Sequence, residues 1–124
     1  KYIGKLSAFC GAVSAGYACG AAITYMLGGN FNQIANTIIN TLANTSGIIC
    51  DGAKPSCAAK ISSALDAALL AHIMSMHDDV FHADEGIVKD DLEKTIRAVG
   101  YIGREGMKST DIEVLNIMID KVCP

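Results

Sequence analysis

The chain has 124 residues, 51% of them hydrophobic, and a formal net charge of −3, a length sufficient for one domain with a buried core. It shows no basic patch to neutralise phosphates, so nucleic acid is not an expected partner. Five cysteines are an odd number, and without secretory features around them they argue against a disulfide framework. They point instead to metal-binding or reactive thiols in a reducing, cytoplasmic setting.

The sequence opens on Lys1 rather than Met, with no signal-peptide pattern, and reads as a piece of a longer protein. From Leu6 to Cys50 there is no charged residue, and all 13 acidic residues lie at Asp51 or beyond. The first predicted helix, Leu6 to Leu27, is rich in alanine and stops at Gly28-Gly29. Ala8 to Leu27 is just long enough to span a bilayer. Against that stand its many small residues and the amides Asn32, Asn36, Asn40 and Asn44 in the next segment. Side chains four apart share a helix face, and in lipid each amide would need a partner. A buried helical pair in a soluble protein is therefore favoured over a membrane hairpin, with the asparagines read as helix-to-helix hydrogen bonding.

The second helix runs from Phe31 to about Asn44, with Ile34, Ile38, Ile39 and Leu42 as its apolar face, and Gly47 ends it. Pro55-Ser56 opens the third, with Ser56 as N-cap. Its apolar positions Ile61, Leu65, Ala68, Leu69, Ile73 and Met76 follow the helical period. Asp78 to Gly86 is a polar connection. The fourth helix spans Asp90 to about Ile102, with Leu92, Ile96 and Val99 inward. Thr110-Asp-Ile-Glu113 has the form of a capping box for the last helix, whose Ile112, Leu115, Met118, Ile119 and Val122 would face the core. No period-two segment is long enough for a sheet. The expectation is a single all-α domain over 1–124, a compact bundle of about five helices.

Cys10, Cys50 and Cys57 are spaced C-x39-C-x6-C, the last two bracketing the loop CDGAKPSC between helices two and three. Three thiolates can hold a cubane iron–sulfur cluster by three irons and leave the fourth free as a Lewis acid. Cys57 falls at the start of a helix, where unpaired N–H groups and the dipole lower a thiol's pKa. Gly47 and Asp51-Gly52 supply tight turns. Cys10 would come from a helix packed across the loop. The spacing alone also allows small buried hydrophobes in an alanine-rich bundle, and C-x6-C is not a standard zinc pair.

Several motifs together resemble a known family. Cys10-Gly-Ala-Val, Leu27-Gly-Gly-Asn30, Ser46-Gly-Ile-Ile-Cys-Asp-Gly-Ala-Lys-Pro-Ser-Cys57, and Gly106-Met107 with Asp111 and Asn116-Ile-Met118 are similar to the C-terminal part of the L-cysteine desulfidases. These are related to the alpha chain of iron–sulfur L-serine dehydratases, which carry a longer insertion before the last cysteine. The resemblance covers Ser7 to about Met118. It implies that Cys10, Cys50 and Cys57 ligate a 4Fe–4S cluster. It also implies α,β-elimination of L-cysteine to pyruvate, ammonia and hydrogen sulfide, or the equivalent deamination of L-serine. The catalytic base would lie in a missing N-terminal part of the same enzyme, so the fragment alone would not turn over. A small amino acid is the implied ligand; no membrane partner is implied, and a homodimer is open. The alternative from another class is a non-catalytic helical module for interaction or metal binding, with zinc on the same cysteines.

Other residues carry weaker readings. Lys54 could bind a substrate carboxylate or be a solvated loop lysine. Asp51 is read as orienting loop backbone rather than doing acid–base work, Ser56 is an N-cap first and a substrate contact second, and Lys54, Ser56 and Asp51 stand together as the substrate-binding candidates. His72, His77 and His82 stand five apart, a spacing that does not set two ligands on one helical face. Cys19 is expected to pack in the core. Cys123, next to the C-terminus, is read as an exposed terminal thiol. In the related dehydratases a terminal cysteine can fold back over the open iron, but here Pro124 follows it.

Overall fold

A computed structural model describes residues 7–121. Five α-helices follow in order: α1 (Gly11–Met26), α2 (Phe31–Thr45), α3 (Ser56–Met76), α4 (Leu92–Tyr101) and α5 (Lys108–Met118). A π-helical turn, Ile102–Gly106, joins the last two. The all-α expectation holds, and no strand occurs among the described residues. α1, α2 and α3 pack on one another, α4 lies on α2, and α5 follows from the π-helical turn.

Small residues set the spacing of the first three helices. A Cβ on Gly16 would meet the Cβ and carbonyl oxygen of Ala64 at 2.9 Å, and one on Gly20 would meet Ala68 and Thr37 at 3.1 Å. At Gly16 nothing larger fits without displacing the Ala64 backbone, and at Gly20 a Cβ would press on the Ala68 and Thr37 side chains. Thr24 Oγ1, 2.9 Å from both Thr37 Oγ1 and His72 Nδ1, ties all three helices together. α1 and α3 therefore run side by side in one register, Gly16 on Ala64, Gly20 on Ala68 and Thr24 on His72.

Of the apolar period read on α3, this close approach buries Ala68 and leaves most of the large side chains outside. The buried residues are Ala64, Ala67, Ala68, Ala71 and Ser75, whereas Ile61, Leu69, Ile73 and Met76 are exposed. The polar seam also differs from the expected asparagine ladder. Thr37, Thr41 and Thr45 are buried on α2, each donating to the carbonyl four residues back. Of the four asparagines only Asn40 is buried. It donates to Ser75 Oγ on α3 at 3.5 Å, a helix-to-helix hydrogen bond, and also holds the loop after α3, donating to the Asp79 carbonyl and accepting from the Phe81 N–H, both at 3.0 Å.

Helix starts follow capping chemistry. Asn30 and Gln33 form a reciprocal capping box on α2, and Asp91 accepts the Lys94 N–H to start α4. Two expected caps are not formed. α3 begins at Ser56 with Pro55 as its N-cap residue, which shifts Ser56 inside the helix. α5 begins at Lys108, so Thr110 and Glu113 are interior. The π-helical turn delivers the chain through Met107, whose N–H reaches the Ile102 carbonyl at 2.9 Å, and leaves no free helix end at Thr110. α5 buries no residue: Ile112, Leu115, Met118 and Ile119, expected inward, are all exposed. Val122 lies outside the described residues.

Candidate functional site

The first helix starts later than its composition suggests, and this shapes the site. Ser7 to Cys10 run extended instead of helical. Phe9 forms an antiparallel bridge with Ile49. The Cys10 N–H donates to the Ile48 carbonyl at 3.2 Å and the Cys50 N–H to the Ala8 carbonyl at 2.6 Å. Cys10 is thus the N-cap residue of α1 and not part of a helix lying across the loop. Because side chains alternate across paired extended chains, Cys10 and Cys50 lie on one face as diagonal neighbours, a relation that spans about 7–8 Å. Phe9, Cys10, Val13, Leu42 and Val99 form the hydrophobic core beneath, and Cys50 and Met107 pack against it.

Cys57 arrives from the other side, in the first turn of α3. Its thiol donates to the Gly52 carbonyl at 3.2 Å and accepts the Lys54 N–H at 3.5 Å. Gly52 is at φ +86°, the left-handed conformation that glycine adopts without strain. The backbone therefore folds round the sulfur, as the turn residues of this loop led one to expect.

All three cysteines line one pocket of about 430 Å³, with Gly11, Ala12, Ala15, Gly52, Ala53 and Ile61 as its other walls. Among the described residues, no ionisable side chain besides the thiols contributes to that wall. All three are free thiols. Among the described residues, no three His, Cys, Asp or Glu side chains draw together tightly enough to hold a single metal ion. The thiols line an apolar space. A cubane cluster held by three thiolates fits that donor set and those walls.

Lys60 was not singled out by the sequence reading, and its charge is felt by the thiols of Cys10 and Cys57. One helical turn after Cys57, it pairs with the Asp51 carboxylate and donates to the Ile49 carbonyl at 2.9 Å. It thereby clamps both ends of the Cys50 turn. The Asp51 hydrogen bond raises the Lys60 pKa above its ordinary value, helped by the Asp51 charge and by Cys10 and Cys57. The same hydrogen bond holds Asp51 below the usual carboxylate value. The available signal was the i, i+3 spacing from Cys57, which puts both on one helix face.

Asp51 thus orients the loop, as expected, through Lys60. Lys54 and Ser56 are exposed at the loop's outer edge and are not among the residues lining the pocket. His72 is bound to Thr24, His77 caps the end of α3, and His82 lies in the following loop. Cys19 is exposed, not packed in the core, because α1 presents Gly16, Gly20 and Thr24 to its neighbours. Cys123 lies outside the described residues. The end of α5 does return to the cysteine loop: Met118 Cε lies 3.6 Å from where a Cβ on Gly52 would sit.

Comparison with known proteins decides the family. The model of the serine dehydratase alpha chain matches residues 1–116. The chain belongs to the serine dehydratase alpha chain family. Curated relatives include UPF0597 proteins of Treponema denticola, 58% identical over 94% of this chain, and of Finegoldia magna, 54% identical over 98%. A third, from Lachnoclostridium phytofermentans, is 57% identical over 95% of the chain. The matched region is 27%, 29% and 28% of these relatives respectively, so the chain spans little more than a quarter of their length. No solved structure matches it.

Proposed function

We propose that this chain is the cysteine-bearing segment of an iron–sulfur-dependent amino-acid lyase that converts L-cysteine and water to pyruvate, ammonia and hydrogen sulfide. The observation that carries the reading is the meeting of Cys10, Cys50 and Cys57 in one apolar pocket in a member of the serine dehydratase alpha chain family. The three thiolates would hold a 4Fe–4S cluster. When bound, that group supplies a Lewis-acidic iron without a protein thiolate, able to take the substrate's carboxylate or leaving group.

The chain's own residues place and protect that chemistry. The paired backbone of Ala8–Cys10 and Ile48–Cys50 fixes two thiols, and the Gly52–Lys54 turn fixes the third. The apolar walls offer little polar surface to hold water at the site, and closing it would strengthen charge interactions within it. Lys60 keeps its proton, since its pKa is raised. It therefore acts as a fixed positive charge beside the thiolates and is unsuited to remove the α-proton. Among the described residues no ionisable side chain besides the thiols lines the pocket, and in this reading the base lies in the part of the longer polypeptide outside this chain. Elimination of the α-proton and the β-thiol gives aminoacrylate, which tautomerises and hydrolyses without further help. L-serine, losing hydroxide in place of thiolate, is the second substrate of the same scheme. A cytoplasmic setting accompanies this reading, because the thiols must stay reduced.

The test is anaerobic reconstitution of the full-length protein with iron and sulfide, followed by assay of pyruvate and sulfide from L-cysteine and of pyruvate from L-serine. A brown protein releasing sulfide and pyruvate from L-cysteine is the expected result. A colourless protein that binds zinc and turns over neither amino acid would replace the lyase with a non-catalytic metal-binding module.

A further inference from the structure

The large side chains of α3 that face solvent form a stripe. Ile61, Leu65, Leu69 and Ile73 are four residues apart, and Met76 follows on the same flank. Ile61, Leu69, Ile73 and Met76 are 48%, 44%, 57% and 37% exposed. The neighbouring flank of α1 is also bare, with Ala15, Cys19 and Met26 exposed, and α1 carries no charged residue. The two flanks run side by side, because α1 and α3 pack in one parallel register. Ala15 and Ile61 both line the cysteine pocket, so the pocket opens at one end of this apolar face. A contiguous exposed apolar surface of this kind marks an interaction site.

We propose that this α1–α3 face is the docking surface for the remainder of the longer polypeptide, and that the docked part roofs the cysteine pocket. Nearly three quarters of each relative lies outside the matched region, which supplies an occupant of ample size on the same chain. Lipid is a poorer occupant. α3 is long and apolar enough to cross a membrane by length and composition, but Asp66 is exposed at its middle, where a charge is costly in a bilayer. α1 and α2, at 16 and 15 residues, are shorter than the ~20 a spanning helix needs. The docking rests on the exposed face and on the relatives' length. Only its consequence for the pocket rests on the lyase reading.

Cys19 is a native probe of this face. The full-length protein is treated with N-ethylmaleimide under native conditions, and alkylation of Cys19 is followed by peptide mass spectrometry. An Arg97→Cys variant supplies a reference thiol on α4, where the Arg97 side chain is 75% exposed. Cys19 is expected to react at least ~10-fold more slowly than this reference thiol in the native monomer, and as fast in denaturant. The double substitution Leu69→Glu, Ile73→Glu, with its helical circular dichroism retained, is expected to restore Cys19 reactivity. Equal rates at Cys19 and at the reference thiol in the native monomer would overturn the proposal. Protection that appears only on dimerisation would assign the face to a second copy. Protection that appears only with phosphatidylglycerol vesicles would assign it to lipid, and either result also overturns the proposal. The labelling needs no turnover, so an inactive protein with a covered Cys19 would refute the lyase and leave the docking standing.

Discussion

Cys10, Cys50 and Cys57 reach one pocket by different means, and their substitutions should differ in side effects but not in outcome. Each Cys→Ser variant of the full-length protein is expected to lose nearly all bound iron and, with it, elimination, since a hydroxyl is a poor ligand for iron in place of thiolate. Iron content and pyruvate release measured together check this, and full activity in an iron-free Cys50→Ser would show that the metal does no chemistry. Cys19→Ala in the 124-residue chain should shift stability by no more than about 0.5 kcal/mol, as expected for an exposed site. Lys60 and Asp51 lend the loop a pH dependence of definite sign. Asp51's pKa is lowered, so its contribution is complete above the ordinary 3.8 and disappears as pH falls through the folded value. Lys60's is raised, so its contribution is complete below 10.5 and disappears as pH rises through the folded value. The clamp is whole across the neutral range. Amide exchange over residues 51–57, corrected for intrinsic rates, should accelerate below pH 3.8 in the parent. In Lys60→Met it should be faster at neutral pH and insensitive to that acid step; an unchanged acid step would remove Lys60 from the clamp.

At the level of elements, the helices were legible because alanine-rich runs, glycine stops and capping residues act locally. Faces were harder to read. The period of α3 marked a real apolar stripe, but Ile61, Leu69, Ile73 and Met76 on it are exposed, because a hydrophobic stripe does not say which face a neighbour covers. The alanine face won the contact with α1 and α2 because Gly16 and Gly20 allow backbones closer than leucine side chains would permit. Similarly, Thr110 and Glu113 had the right letters for a cap, but the π-helical turn already joined the two helices. The extended pairing of Ala8–Cys10 with Ile48–Cys50 was too short to give a period, so the part of the site that fixes two thiols could not be read from sequence. Asn40 shows how one residue holds an element in place. Asn40→Ala leaves the Phe81 N–H and the Asp79 carbonyl without their partner. Loss of about 1–3 kcal/mol is expected, measured by denaturant unfolding. A neutral substitution would mean that the loop after α3 is held by other contacts.

For the molecule as a whole, the family and the cysteine triad were legible, and the base was not, because among the described residues no ionisable side chain besides the thiols lines their pocket. The 124-residue chain reconstituted with iron and sulfide is therefore expected to yield no pyruvate from L-cysteine. Pyruvate from that chain alone would show that a group described here does remove the proton. The bridge at Phe9 also has a consequence for synthesis. Phe9 is covered by Gly103, and Ser7 donates to the Gly103 carbonyl at 3.1 Å, across 96 positions of sequence. Cys10 can meet Cys50 once Cys50 has left the ribosome, but the cover is encoded 53 positions later, at Gly103. At ribosomal speeds that gap is roughly 3–10 s. The pairing that sets Cys10 near Cys50 is therefore completed on its Phe9 side only late in the synthesis of this stretch.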